Sequence, residues 1–225
     1  MKVRFFCPNI LLFVIIFLSG CSGYHFNTNN NPLLGYGIKT IAVPMFINRS
    51  VLSQLTAPMT KEIMMALNDY SGLKVMSSNT ETADAVLIGI IESKDHYNDV
   101  VQTTQTQFTS GEVLQSIGKR SPFYYPTQTY YAFSVRLILI KRPTADELKL
   151  FSSELGSMIK VHPKIVLRDS LNLSGTFSRV ASQTYTAAAP GEVNFVKNKG
   201  IFEKSLQDTS YQAAQMFRQV ILNAF

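Results

Sequence analysis

The segment Thr129 to Arg142 (TYYAFSVRLILIKR) constrains this chain more than any other part of it. Side chains alternate across a strand, so Tyr131, Phe133, Val135, Leu137 and Leu139 share one face. Tyr130, Ala132, Ser134, Arg136, Ile138 and Ile140 share the other. Both faces are largely apolar, and such a strand needs cover on two sides. Ala85 to Ile91 (AVLIGII) makes the same demand, so two central strands are expected.

Weaker signals complete the sheet. Ile38 to Phe46 alternates with Ile41, Val43 and Met45 on one side, and Pro44 predicts an edge position or a bulge. Leu73 to Met76 is a short strand. Glu92 to Gln107 reads as a polar ribbon that extends the second central strand beyond the core. Leu171 to Tyr185 alternates with Leu171, Leu173 and Phe177 inward. Segments 108–127 and 143–169 read as long loops. Within the latter, Thr144 and Glu147 are spaced as a capping box before Leu148, Phe151 and Leu155.

Two segments carry helical spacing. Leu52, Leu55, Met59, Ile63, Ala66, Leu67 and Tyr70 predict an amphipathic helix over 57–70, with Thr56 as N-cap, Pro58 in the first turn and Gly72 beyond its end. Phe202, Leu206, Thr209, Ala213, Phe217, Val220 and Ala224 predict a second of about 20 residues, after a loop over 187–200. Two one-sided helices and a mainly antiparallel sheet of four strands or slightly more bury themselves most simply as a two-layer α+β sandwich, with both helices on one sheet face. The apolar opposite face then needs a partner, a lipid or a loop folded over it.

The 225 residues suffice for one such domain, expected over 38–225. Lys2 and Arg4 precede an unbroken apolar run from Ile10 to Leu18, too short to span a bilayer as a helix, so residues 1–20 read as an export signal. Leu18-Ser19-Gly20-Cys21 resembles the bacterial lipobox, which makes Cys21 the lipid attachment point. Ser22, where Asp would favour inner-membrane retention, directs the protein to the periplasmic side of the outer membrane. Residues 21–37, with four asparagines and three glycines after Ser22, read as a lipidated tether. The net charge of +6 falls to +4 once Lys2 and Arg4 leave. No block of like charge suggests nucleic-acid binding. With Cys7 removed and Cys21 acylated, no thiol remains as a nucleophile. Neither G-x-S-x-G, H-E-x-x-H nor a P-loop occurs, so no enzyme activity and no cofactor are expected.

Arg136 sits in the middle of an apolar strand and needs an anion or solvent. It would bind a lipid phosphate bidentately, or close a cross-strand ion pair. Lys119, Arg120, Lys141, Arg142 and Arg179 would extend a basic rim or serve as ordinary surface charges. Phe123, Tyr124, Tyr125 and Tyr130 are candidate contacts to a partner, against local packing as the alternative, while Tyr131 belongs with the core. Glu92, Asp95, His96 and Asp99 do not form a metal cluster, because along a strand Asp95 and Asp99 face away from Glu92 and His96.

Gly20-Cys21-Ser22-Gly23-Tyr24-His25-Phe26 resembles the opening of the LptE lipoproteins, with Ser22 as an extra residue. Ile38 to Asn48 before the first helix, Ala83-Asp84-Ala85-Val86-Leu87 and Tyr211-Gln212-Ala213-Ala214-Gln215 are also similar to that family. The resemblance implies a four-stranded sheet with two helices. It further implies an outer-membrane lipoprotein that plugs an LptD β-barrel and helps deliver lipopolysaccharide to the outer leaflet. Strand-helix starts of this kind also occur in LpoB-like and CsgG-like lipoproteins, which leaves regulation of a periplasmic cell-wall enzyme, or a secretion pore, as the alternative.

Overall fold

The doubly apolar segment is the spine of the sheet. In the computed structural model it is strand β6, Phe123–Lys141, paired along both edges. On one edge β4 (Ala85–Glu92) runs antiparallel to its second half and β5 (Val101–Thr109) antiparallel to its first. A single turn of helix, α2 (Tyr97–Val100), separates the two, so β4 and β5 follow one another along the same neighbour. The other edge carries β7, Ile165–Ser178, in register from Gln128 to Leu139, with a shift before Ile140 meets Ile165. The structure describes residues 30–77, 82–109, 123–159, 161–179 and 195–224.

Beyond β4 the sheet is parallel. β1 (Thr40–Ala42) and β2 (Ile47–Asn48) both pair with β4, and β3 (Lys74–Met76) pairs with β1. Among the described residues the sheet is therefore mixed and seven-stranded, larger than the four strands or slightly more expected; its long pairings are antiparallel, but three short ones are parallel. Helix α1 (Thr56–Asn68) returns the chain between β1 and β3, and such a crossover sets neighbouring strands parallel. Pro44 splits the expected first strand into β1 and β2. Across the break the alternation slips by one, leaving Met45 62% exposed while Phe46 is buried.

Both long helices stand on the face predicted for them. α1 and α5 (Phe195–Ala224) bury Met59, Ile63, Leu67, Leu206, Ala213 and Phe217 against Tyr131, Val135, Leu137, Leu171 and Phe177. Each fully buried Leu, Ile, Phe or Met contributes roughly 1.5–3 kcal/mol. α5 is longer than expected, taking in 195–200 from the predicted loop. α1 begins at Thr56 itself, after a 3-10 turn at Ser53–Leu55, with no side-chain cap.

The opposite face is closed by the chain's own residues 143–159 and 161–164. Thr144 Oγ1 accepts from the Glu147 N–H at 3.2 Å and Glu147 Oε2 accepts from the Thr144 N–H at 2.7 Å, starting α3 (Ala145–Ser152). The helix drops Phe151, fully buried, onto Val86, Ile88, Ile90, Ile138 and Ile140. Leu148 packs beside it, but Leu155, at the start of the short α4 (Leu155–Met158), is 62% exposed. The expected long loop is thus a lid, and the sandwich has cover on both sides at this end.

Three boundaries also differ. The tether expected to reach residue 37 is structured from Asn31, whose side chain accepts from the Leu33 N–H at 2.9 Å and donates to the Ile38 carbonyl at 2.7 Å. That locks a 3-10 turn, Pro32–Tyr36, with Leu33 fully buried. Phe123 to Thr127, placed in a loop, is strand, because β5 supplies the partner. β7 starts at Ile165, inside the loop expected over 143–169, and ends at Ser178; the rest of its predicted run, 180–185, lies outside the described residues, as do 110–122 and 187–194. No helix among the described residues is long and apolar enough to cross a membrane.

Candidate functional site at the ribbon end

Past the core, β5 and the first half of β6 pair with the second half of β7 as a three-stranded ribbon, one face of which meets the start of α5. Strand alternation turns Tyr125 and Phe177 toward the helix, and helical spacing brings Asn198 and Phe202 to them. With Tyr97, Pro126, Arg179 and Lys199 they line a cleft of about 370 Å³.

The cleft is apolar on its walls and cationic at its rim. The Phe177 and Phe202 ring centroids are 4.8 Å apart. Tyr125 is 7% exposed, and its hydroxyl accepts from Asn198 Nδ2 at 2.9 Å. Burial pushes the Tyr125 phenol above its usual pKa, with the Arg179 guanidinium pulling the other way, so it is a neutral hydroxyl at ordinary pH. The Arg179 guanidinium lies 4.8 Å over the Phe177 ring and donates to Thr129 Oγ1 at 2.7 Å. Its own N–H holds the Thr127 carbonyl at 2.7 Å, fixing the strand end. Lys199 Nζ is 3.8 Å from Glu203 and mostly exposed. A planar guanidinium beside aromatic walls suits an amphipathic anion, with phosphate or carboxylate at the rim and an apolar part inside.

The remaining basic candidates among the described residues do not join this cleft. Lys141 ends β6, with Arg142 following it, fourteen residues beyond Thr127 and about 46 Å away along an extended strand. Lys141 Nζ donates to the Tyr36 carbonyl at 2.6 Å, and Arg142, at φ 43°, stands 3.8 Å from Asp84. Arg136 forms the cross-strand ion pair: its Nη2 donates to Glu92 Oε2 at 2.5 Å, while Arg49 approaches Glu92 Oε1 at 3.8 Å. Its other terminal nitrogen, Nη1, is buried and has no hydrogen-bond partner among the described residues. Cys21, Lys119 and Arg120 lie outside the described residues.

The aromatic candidates divide. Tyr124 is 69% exposed and meets Phe108 at 5.2 Å between centroids. Tyr125 turns inward, and Phe123 opens β6. Half-buried Tyr130 lines two open grooves on either side of β7, one with Glu92, Ser134 and Asn172, the other with Lys204, Ser205 and Asp208. Tyr131 is fully buried in the core. Asn198 and Lys199 were missed because their segment reads as loop; the i, i+4 spacing of Asn198 and Phe202 was the available signal. Among the described residues, no group of three His, Cys, Asp or Glu is placed to hold a metal ion.

No family model and no curated relative matches the chain. Solved structures match at low similarity. A lipoprotein candidate from Caulobacter crescentus is 8% identical, with 79% of this chain and 88% of that one covered and a TM-score of 0.38. The uncharacterized lipoprotein B of Nitrosomonas europaea is 8% identical over 87% and 86%, with a TM-score of 0.37. Lipoprotein GNA1162 of Neisseria meningitidis is 11% identical over 66% and 88%, with a TM-score of 0.32. At these values the likeness carries no argument, and the names describe those proteins alone.

Proposed function

We propose that the chain is an exported lipoprotein held at the periplasmic side of the outer membrane by acyl chains on Cys21. Its body docks with an LptD-like β-barrel and helps pass lipopolysaccharide to the outer leaflet, catalysing no reaction. The observation that carries this reading is a strand-helix start leading to a sheet with two long helices on one face, behind a lipobox-like cysteine. Because Phe151 and its helix close the apolar outer face, docking falls to the ribbon, where Tyr124 and Phe108 are exposed. Arg179 and Lys199 would meet glycolipid phosphate, with the Phe177 and Phe202 rings against its apolar part.

The test is recovery of the tagged, full-length protein from detergent-solubilised envelopes. A stable complex with a large β-barrel is the expected result. Co-purification with a peptidoglycan synthase, or rings of the protein itself, would replace this reading with the LpoB-like or CsgG-like one. Arg179→Glu combined with Lys199→Glu is expected to reduce lipopolysaccharide retained by the purified protein about tenfold or more, from the loss of two charge-assisted contacts.

A further inference from the structure

One end of the sheet gathers cations that the cleft does not use. β3 starts at Lys74, Lys39 precedes β1, β6 ends at Lys141 with Arg142 following, and Lys164 precedes β7. Strand register puts them in one row. Thr40 lies opposite Lys74, Ile41 opposite Ala85, and Ala85 opposite Lys141. The Lys74 N–H donates to the Lys39 carbonyl and the Lys141 N–H to the Lys164 carbonyl, each at 2.8 Å. Lys39, Lys74 and Arg142 are exposed.

Among the described residues the acids of this end are fewer, and most are engaged. Asp84 Oδ2 accepts from the Lys39 N–H, the Thr40 N–H and Thr40 Oγ1 at 3.0, 3.0 and 2.9 Å. Glu147 holds the α3 cap and pairs with Lys164 at 2.8 Å. Asp69 pairs with Arg218. Among the described residues, Lys39, Lys74, Lys141, Arg142 and Lys164 thus stand against Asp84, Glu147 and Asp146 in the first turn of α3, an excess of two positive charges. Beside them Leu34 and Tyr36, on the 3-10 turn, are 57% and 46% exposed. An exposed Leu and Tyr among lysines suits the headgroup zone of a bilayer, where the ring sits at the interface and cations meet lipid phosphate.

The chain's own path points the same way. The body begins at Asn31, whose N–H donates to the Ser71 carbonyl at 3.1 Å, three residues before Lys74, and Cys21 lies ten residues earlier. Extended chain of that length reaches at most about 36 Å. We propose that this end of the sheet is a bilayer-apposed surface. Lys39, Lys74, Lys141 and Arg142 meet anionic phospholipid headgroups, and Leu34 and Tyr36 enter the interface, so the body rests against the membrane instead of swinging on its tether. The proposal deepens the lipid-anchored reading and rests on it, not on the barrel.

Among the described residues the buried clusters lie within 33–221, so the mature chain Ser22–Phe225, exported without acylation through an ordinary cleavable signal, serves for the test. It is sedimented with vesicles of phosphatidylethanolamine containing a quarter phosphatidylglycerol, and with pure phosphatidylcholine. Binding to the first alone, weakening with salt, is expected. Lys39→Gln with Lys74→Gln should weaken it roughly 30-fold, and Leu34→Ser with Tyr36→Ser should also lower it. Equal binding to both vesicles, no binding to either, or binding unmoved by the lysine pair would overturn the proposal. Mass measurement of the natural N-terminus tests the anchor separately: an unacylated Cys21 with vesicle binding intact would remove the anchor and leave the surface standing.

Discussion

The Tyr131 hydroxyl lies directly over Gly175: a Cβ on that glycine would sit 2.3 Å from the phenolic oxygen. The same oxygen is 2.7 Å from Ser205 Oγ and 2.8 Å from Thr209 Oγ1, so β6 reaches across β7 to α5 through one hydroxyl. No side chain fits between. Gly175→Ala must push the buried ring aside and break at least one of these bonds, at a cost of about 2–4 kcal/mol. A thermal melt should show Tm lower by about 10 °C. A shift below about 2 °C would mean the ring moves freely.

Phe151 decides whether the outer sheet face is open or closed. It is fully buried over Ile138 and Ile140 and anchors a helix of only eight residues. Phe151→Ala should cost about 3–5 kcal/mol and loosen the lid. Binding of a hydrophobic dye to the folded protein is expected to rise, because Val86, Ile88, Ile138 and Ile140 become accessible. Unchanged dye binding and stability would show that the lid contributes no cover.

Arg136 is better placed to hold β4 than to hold a ligand. It pairs with Glu92 where both side chains are about a quarter exposed or less, so the loss on breaking the pair falls below that of a fully buried one. Arg136→Met leaves Glu92 with Arg49 and should cost about 1–2 kcal/mol. Arg136→Glu sets two carboxylates together and should cost about 2–4 kcal/mol. Urea unfolding distinguishes them, and equal stability of the two variants would remove the ion pair from the account.

The sequence showed those features that one periodicity settles. Thr129 to Arg142 had to be central because neither face is polar, and α1 and α5 each had one apolar face to bury. The capping box at Thr144 and Glu147 was visible because both partners lie within four residues. What stayed hidden depends on contacts between distant segments. The lid needs Phe151 to find Ile138, and nothing local says which of the available occupants covers that face. Parallel pairing of β1 with β3 and β4 follows from where a crossover lands, not from either strand. The cleft joins Tyr125, Arg179 and Asn198 from three elements, so the sequence offered Arg179 and Tyr125 only separately, one among the basic candidates and the other among the partner contacts.

Asp84 gives the fold an acid-sensitive clasp. The Lys39 backbone N–H leads the effects that hold its carboxyl below the usual aspartate pKa; burial opposes it, and Thr40 and Arg142 add to the lowering. A depressed folded pKa means that the ionised form stabilises the fold above the unfolded value of about 3.9, and that this stability is lost as pH falls from there through the folded pKa. The clasp joins β1 to the start of β4, so its loss should free the first strand. Asp84→Asn should therefore lower the urea midpoint at about pH 7 and by a similar amount at about pH 5. The gap should shrink below about pH 3.5, as the wild-type carboxyl takes up its proton. A gap that stays constant down to about pH 2 would show that the charge on Asp84 contributes nothing and that only its hydrogen-bond geometry matters.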